Sequence, residues 1–166
     1  MTTRIAVVIL LLAGSALGQG SADNRGTEAR HYPNLIHAEL PLYPPLAWTA
    51  HITGSVEIQI TVDKGSVVDA QVKSIDIQVI GPDNPPRNDL RTKLAVSPSL
   101  SNPTLANVKT WQFQPEGRTT FLVKYVYRIE GEETTLPENP KVELELPRLV
   151  KVTARPFKPT CSDCSE

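Results

Sequence analysis

Membrane-length hydrophobic runs are missing from this 166-residue chain. The longest, residues 5–12 and its apolar continuation to Leu17, is well under the roughly 20 residues a bilayer-spanning helix needs. No charge of one sign is in excess. The 17 Lys and Arg against 18 Asp and Glu leave a net charge of −1, which gives no electrostatic pull toward nucleic acid or anionic lipid. Histidine is limited to His31, His37 and His51, which lack a metal-type His-x-x-x-His spacing. His51, at a helix end, reads as a polar cap. Gly-x-Ser-x-Gly, a phosphate-binding glycine loop and a dinucleotide fingerprint are all missing. No catalytic residue, metal site or cofactor is therefore expected, and the chain reads as a non-enzyme.

Proline is what the chain has in excess. Its 15 prolines argue for extended segments and a broken topology rather than a helix bundle. With 40% hydrophobic and 21% charged residues, the composition suits a globular domain with one modest core.

The N-terminus reads as a targeting segment. Arg4 supplies a short positive region, residues 5–12 are an unbroken apolar run, and Ala16-Leu17-Gly18 fits a small-x-small cleavage site. Cleavage after Gly18 is expected, with export to an oxidising, periplasm-type compartment and no membrane span afterwards. Ser15 stands where a lipoprotein signal would need Cys. The organisation that follows is a flexible leader over 19–39, a domain over 40–131 with an insertion at 75–100, and an acidic connector, extra strand and cysteine tail over 132–166.

The strongest periodicity lies in residues 54–74. Val56, Ile58, Ile60 and Val62 alternate with Ser55, Glu57, Gln59 and Thr61, the pattern of a strand with one dry and one wet face. Asp63-Lys64-Gly65-Ser66 has hairpin-turn chemistry. In the returning strand Val68, Ala70 and Val72 keep one phase, and Ile75, Ile77 and Val79 take the other. Either a bulge sits near Lys73-Ser74 or a separate strand starts there.

Upstream, Pro44-Pro45 opens a short helix through His51, with Gly54 ending the connection to the hairpin. Downstream, Ser101-Asn102-Pro103 signals a helix start, and Leu105, Val108 and Trp111 form its apolar stripe. Residues 119–130 read as a third strand, with Phe121, Val123, Tyr125, Tyr127 and Ile129 on one face and Leu122 and Val126 making the other only partly polar. Tyr125 and Tyr127 read equally as a contact surface or a half-buried sheet face. Residues 142–154 alternate on both sides of Pro147, one interrupted extra strand expected to pair with 75–80.

Three blocks carry a family resemblance: Tyr43-Pro44 with Ala47, Ala50, Ile52, Gly54 and Val56; the hairpin from Val62-Asp63 through Gly65, Asp69-Ala70 and Val72 to Ser74; and Leu105-Ala106, Val108 and Trp111-Gln112-Phe113-Gln114-Pro115. In this order they resemble the C-terminal domain of the TonB energy-transducer family. The resemblance covers about residues 40–131. It implies an α+β fold in which two short helices pack on a three-stranded antiparallel sheet, here with an inserted loop or strand and an extra C-terminal strand.

It also implies strand addition: an extended segment of an outer-membrane receptor, or of another envelope protein, pairs with the outer strand. By matching, that strand is 119–130, with Phe121, Val123, Tyr125, Val126, Tyr127 and Ile129 as partner-binding positions. Pairing with a second copy, a homodimer, is a further expectation. The chain departs from the energy-transducing members in lacking their membrane anchor and their Pro/Lys/Glu-rich spacer. A rival reading is a structural envelope domain whose edge is blocked by its own C-terminal strand.

Cys161-Ser162-Asp163-Cys164 has its own chemistry, but follows Pro159 rather than opening a helix, so it lacks the geometry that activates a redox thiol. One pair is half of a four-ligand zinc site. A local disulfide between Cys161 and Cys164 or inert thiols, a cross-link to a partner, and a metal or redox role stay open.

Overall fold

The computed structural model describes residues 32–80, 90–136 and 138–158. The signal segment, His31, residues 81–89 and Cys161 and Cys164 lie outside the described residues. In chain order the elements are β1 (Leu35–His37), α1 (Pro45–Thr49), β2 (Ile52–Asp63), β3 (Ser66–Val79), α2 (Leu90–Val108), β4 (Gln112–Phe113), β5 (Thr119–Ile129), β6 (Lys141–Glu145) and β7 (Leu149–Ala154).

All seven strands join one mixed sheet in the order β1-β4-β3-β2-β5-β7-β6. This corrects the expected three-stranded antiparallel sheet. The β2–β3 hairpin and β5 do form its centre, but β7 adds parallel to β5 and β6 pairs antiparallel to β7. The segment 142–154 is thus two strands, not one interrupted strand. It joins the β5 side, not residues 75–80, because Val150, Val152 and Ala154 complete the apolar row of Tyr125, Tyr127 and Ile129. The leader also ends earlier than residue 39: Leu35 pairs with Phe113, and the Tyr32 ring meets Phe121 edge-on at 5.4 Å. That contact, from just ahead of the sheet's first strand to its central β5, shows how strongly the sheet curls.

The β2 alternation produces the expected result. Val56, Ile58, Ile60 and Val62 are buried, and Ser55, Glu57 and Gln59 face the wet side half-exposed. The dry row continues across Phe121, Val123, Tyr125 and Tyr127 to Val150 and Val152. Helices α1 and α2 cover this face through Ala47, Leu100 and Val108, all fully buried. The hairpin turns at Lys64 (φ 50) and Gly65 (φ 84), two successive left-handed residues that match the twist of the flanking strands. Gly65 is packed so closely that a Cβ would stand 2.5 Å from the Phe113 carbonyl oxygen.

The phase slip in β3 is a bulge. Ser74 pairs with Glu57 and Val72 with Ile58, leaving Lys73 as the extra residue, and a second irregularity leaves out Val68. The insertion expected at 75–100 is the end of β3 and the front of α2. Helix α2 begins by Leu90, well before the start signal at Ser101-Asn102-Pro103, and holds Pro98 and Pro103 inside it. Both prolines are exposed, away from the buried Leu100, Thr104 and Val108. Around them the hydroxyls of Ser97, Ser99 and Thr104 donate to the carbonyls of Lys93, Val96 and Leu100. The helix ends at Val108, so Trp111 belongs to the exit turn and not to the helix.

After β7 the chain straps back over the α1–β2 turn. Trp48 Nε1 donates to the Arg155 carbonyl at 2.6 Å, and its ring packs on Phe157. His51 Nε2 lies 3.2 Å from the Phe157 carbonyl oxygen. His51 therefore ties the turn to this strap and is not a cap on α1. Thr134 holds the same strap from its other side, in a bridge with Phe157.

Candidate protein-binding edge

Strand addition needs backbone N–H and C=O groups left unpaired along one side of a strand. The strand first expected to offer them, β5, has β2 on one side and, along 124–129, β7 on the other. It is an inner strand there, which corrects its assignment as the outer one. The structure brings the predicted positions together on β5 but turns most of them inward. Phe121, Val123, Tyr125 and Tyr127 are buried in the core, and Val126 and Ile129 are half-buried.

The two tyrosines serve the core through their hydroxyls. Tyr125 donates to Asn107 Oδ1 at 2.7 Å, and the Tyr127 hydroxyl lies 2.9 Å from that of Thr104. Asn107 Nδ2 in turn donates to the Glu39 carbonyl, and Tyr43 donates to the Ile52 carbonyl at 2.7 Å. These bonds pin α2 and the proline-rich 39–45 segment to the sheet.

Burial disfavours the phenolate and raises all three tyrosine pKa values, that of Tyr127 to about 12. A raised folded-state pKa means that the folded protein holds its proton while the unfolded chain, near pH 10, has begun to lose it. The stabilisation is whole below pH 10 and is lost as pH climbs through 10 toward about 12 for Tyr127. Denaturant melts should therefore be level from neutral pH to about 9 and fall steeply above 10. Tyrosinate absorbance from Tyr43, Tyr125 and Tyr127 should rise only together with unfolding. Free titration of all three in the folded protein near pH 10 would contradict their burial.

Two strands are left at the ends of the sheet's long part. Strand β6 has five residues, and its face carries the Lys141–Glu143 and Lys151–Glu143 ion pairs, the short charged form that resists further pairing. Strand β3 is different. It has 14 residues, and its outer neighbour β4 touches it only where Ser66 faces Gln112. Beyond that point no described strand pairs with its outer side.

Its dry row is unfinished toward the turn: Val67, Ala70, Val72 and Ile75 are only partly buried against the core, whereas Ile77 and the matching row on β2 are covered. On the wet side Lys73 donates to Gln71 and Gln71 to Asp69, at 3.4 and 3.0 Å. At the far end Lys93 of α2 reaches the Asp76 side chain at 3.4 Å. The stretch free of both contacts runs between Ser66 and Asp76.

Sequence reading missed this edge because it ranks strands by their own pattern. The available signal was length: a strand that carries one phase through Val72 and another from Ile75 outlasts the neighbour that could cover it. Among the described residues no group of His, Cys, Asp or Glu is placed to hold a metal ion, and no helix is long and apolar enough to cross a membrane. Among the described residues the structure thus defines a curled mixed sheet with helices on one face and a long open edge on β3. No family model and no curated protein matches the chain.

Proposed function

We propose that this chain is an exported protein-binding domain that takes an extended partner segment by strand addition along β3. The observation that carries this is the open β3 edge between Ser66 and Asp76, with its half-buried apolar row. An added strand would pair the outward backbone groups and cover Val67, Ala70 and Val72. The targeting features of residues 1–18 support export. The TonB-like blocks around Tyr43, the hairpin and Trp111 support a receptor segment as partner, in a role accessory to transport across an outer membrane. The proposal places the partner on β3, since β7 occupies the neighbouring position on β5.

A photo-cross-linking residue at Gln71, used in the native envelope, tests the reading. The expected product joins position 71 to an extended segment of an outer-membrane receptor or another envelope protein, while the same probe at Leu144 on β6 yields none. Equal products from both positions, or none from 71, would count against it. The parallel β5–β7 pairing favours a second reading, a structural envelope domain that fills its own edge.

A further inference from the structure

The chemistry of the β3 edge is self-complementary, and we infer that the edge pairs with the β3 edge of a second copy of this chain. The inference rests on the reading of β3 as the pairing edge and names one occupant for it. Gln71 stands midway between Ser66, where β4 pairs with β3, and Asp76, which the Lys93 side chain of α2 reaches. It also stands midway between Asp69 and Lys73, which it joins on the wet face in a hydrogen-bonded row with one acidic and one basic end.

An antiparallel partner running past Gln71 about a two-fold axis puts Gln71 opposite Gln71. Asp69 of each copy then faces Lys73 of the other, twice over. On the dry face the same register sets Ala70 against Val72, a small side chain against a larger one, and extends the half-covered row. Directly opposed side chains in an antiparallel pair lie within about 4.5–5.5 Å at Cβ, so both charge pairs are in contact range. Among the described residues Asp69 accepts only from Gln71, which leaves its carboxylate open to a cation from outside. Lys73 is the bulged residue with no partner in the β2 ladder. A closed, isologous contact of this kind also ends edge growth, and a second copy then competes with a receptor segment for the same stretch of β3.

Charge reversal tests the register. Sedimentation equilibrium of the full exported chain should show a monomer–dimer equilibrium. Asp69→Lys places two lysine pairs in contact and Lys73→Asp two aspartate pairs, and each alone should weaken the dimer roughly tenfold or more. The double variant Asp69→Lys with Lys73→Asp, which swaps the ends of the row, should restore it. A mixture of the two single variants should form a heterodimer that neither forms alone. Both side chains are exposed, so far-UV circular dichroism should match the parent chain.

A chain that stays monomeric at every concentration reached, or a dimer indifferent to both reversals, overturns the inference. If such a monomer still cross-links an extended partner segment from position 71, the self-pairing fails alone and the proposed function stands. If neither is found, both fail.

Discussion

Gly54→Ala should lower the unfolding free energy by about 4 kcal/mol or more, the range reserved for changes that break the backbone arrangement. Gly54 lies inside β2 at φ +149, a conformation that L side chains rarely adopt. It faces Ile77 on one neighbour and Tyr127 on the other. A Cβ there would stand 2.0 Å from the Asp76 carbonyl oxygen and 3.0 Å from the Ile77 Cα. Those are backbone atoms of a paired strand, so no side chain can swing away to make room. The hairpin would have to splay where it is pinned by the Ile80 N–H bond to the His51 carbonyl.

Urea melts followed by tryptophan fluorescence measure the effect, and Gly117→Ala supplies the contrast. Gly117 is exposed, and nothing lies within 4 Å of its added Cβ. Its substitution should stay within about 0.5 kcal/mol of the parent. A loss below about 1 kcal/mol for Gly54→Ala would mean that β2 and β3 separate there with ease.

Trp111→Ala should cost about 3–5 kcal/mol. Trp111 is 2% exposed and lies with ring centroids 6.3 Å from both Phe113 and Tyr125. It joins the exit of α2 to the dry face at the place where the sheet curls toward β1. Removing it opens a cavity between the exit of α2, β4 and β5, which cannot collapse without moving one of them.

Trp111→Phe is the informative companion. No protein group among the described residues accepts from the Trp111 Nε1–H, and a buried donor without a partner is itself costly. Phenylalanine removes that donor along with part of the ring, so its cost should be clearly smaller than that of alanine. Trp48, on the far side of α1, remains as the fluorescent reporter in both variants. An alanine cost under about 1 kcal/mol would show that the site refills from its neighbours.

The parts of the fold legible in the sequence were those written in short-range periodicity. Alternation in β2 named its buried row residue by residue, and Lys64-Gly65 named the turn. The slip between Val72 and Ile75 narrowed to two readings, and the Lys73 bulge is one of them. Helix α2 was half legible. Its rear half carried a stripe, whereas residues 90–100 hold Pro98 and no steady apolar period, in keeping with the exposure of Leu90 and Leu94 there.

The candidate site was legible as chemistry but not as a place. Asp69, Gln71, Lys73 and the valines beside them are present in the local sequence, with nothing local to mark them as an edge. Which strand has an open side depends on where a distant segment docks. The sequence by itself determined the hairpin, its dry face, and the residues Trp111 and Phe113 that close the core. Only the tertiary structure decided that β7 takes the free side of β5 and that β3 is left open. The physical reason is that side-chain alternation is a property of one strand, whereas an edge exists only where a neighbour does not.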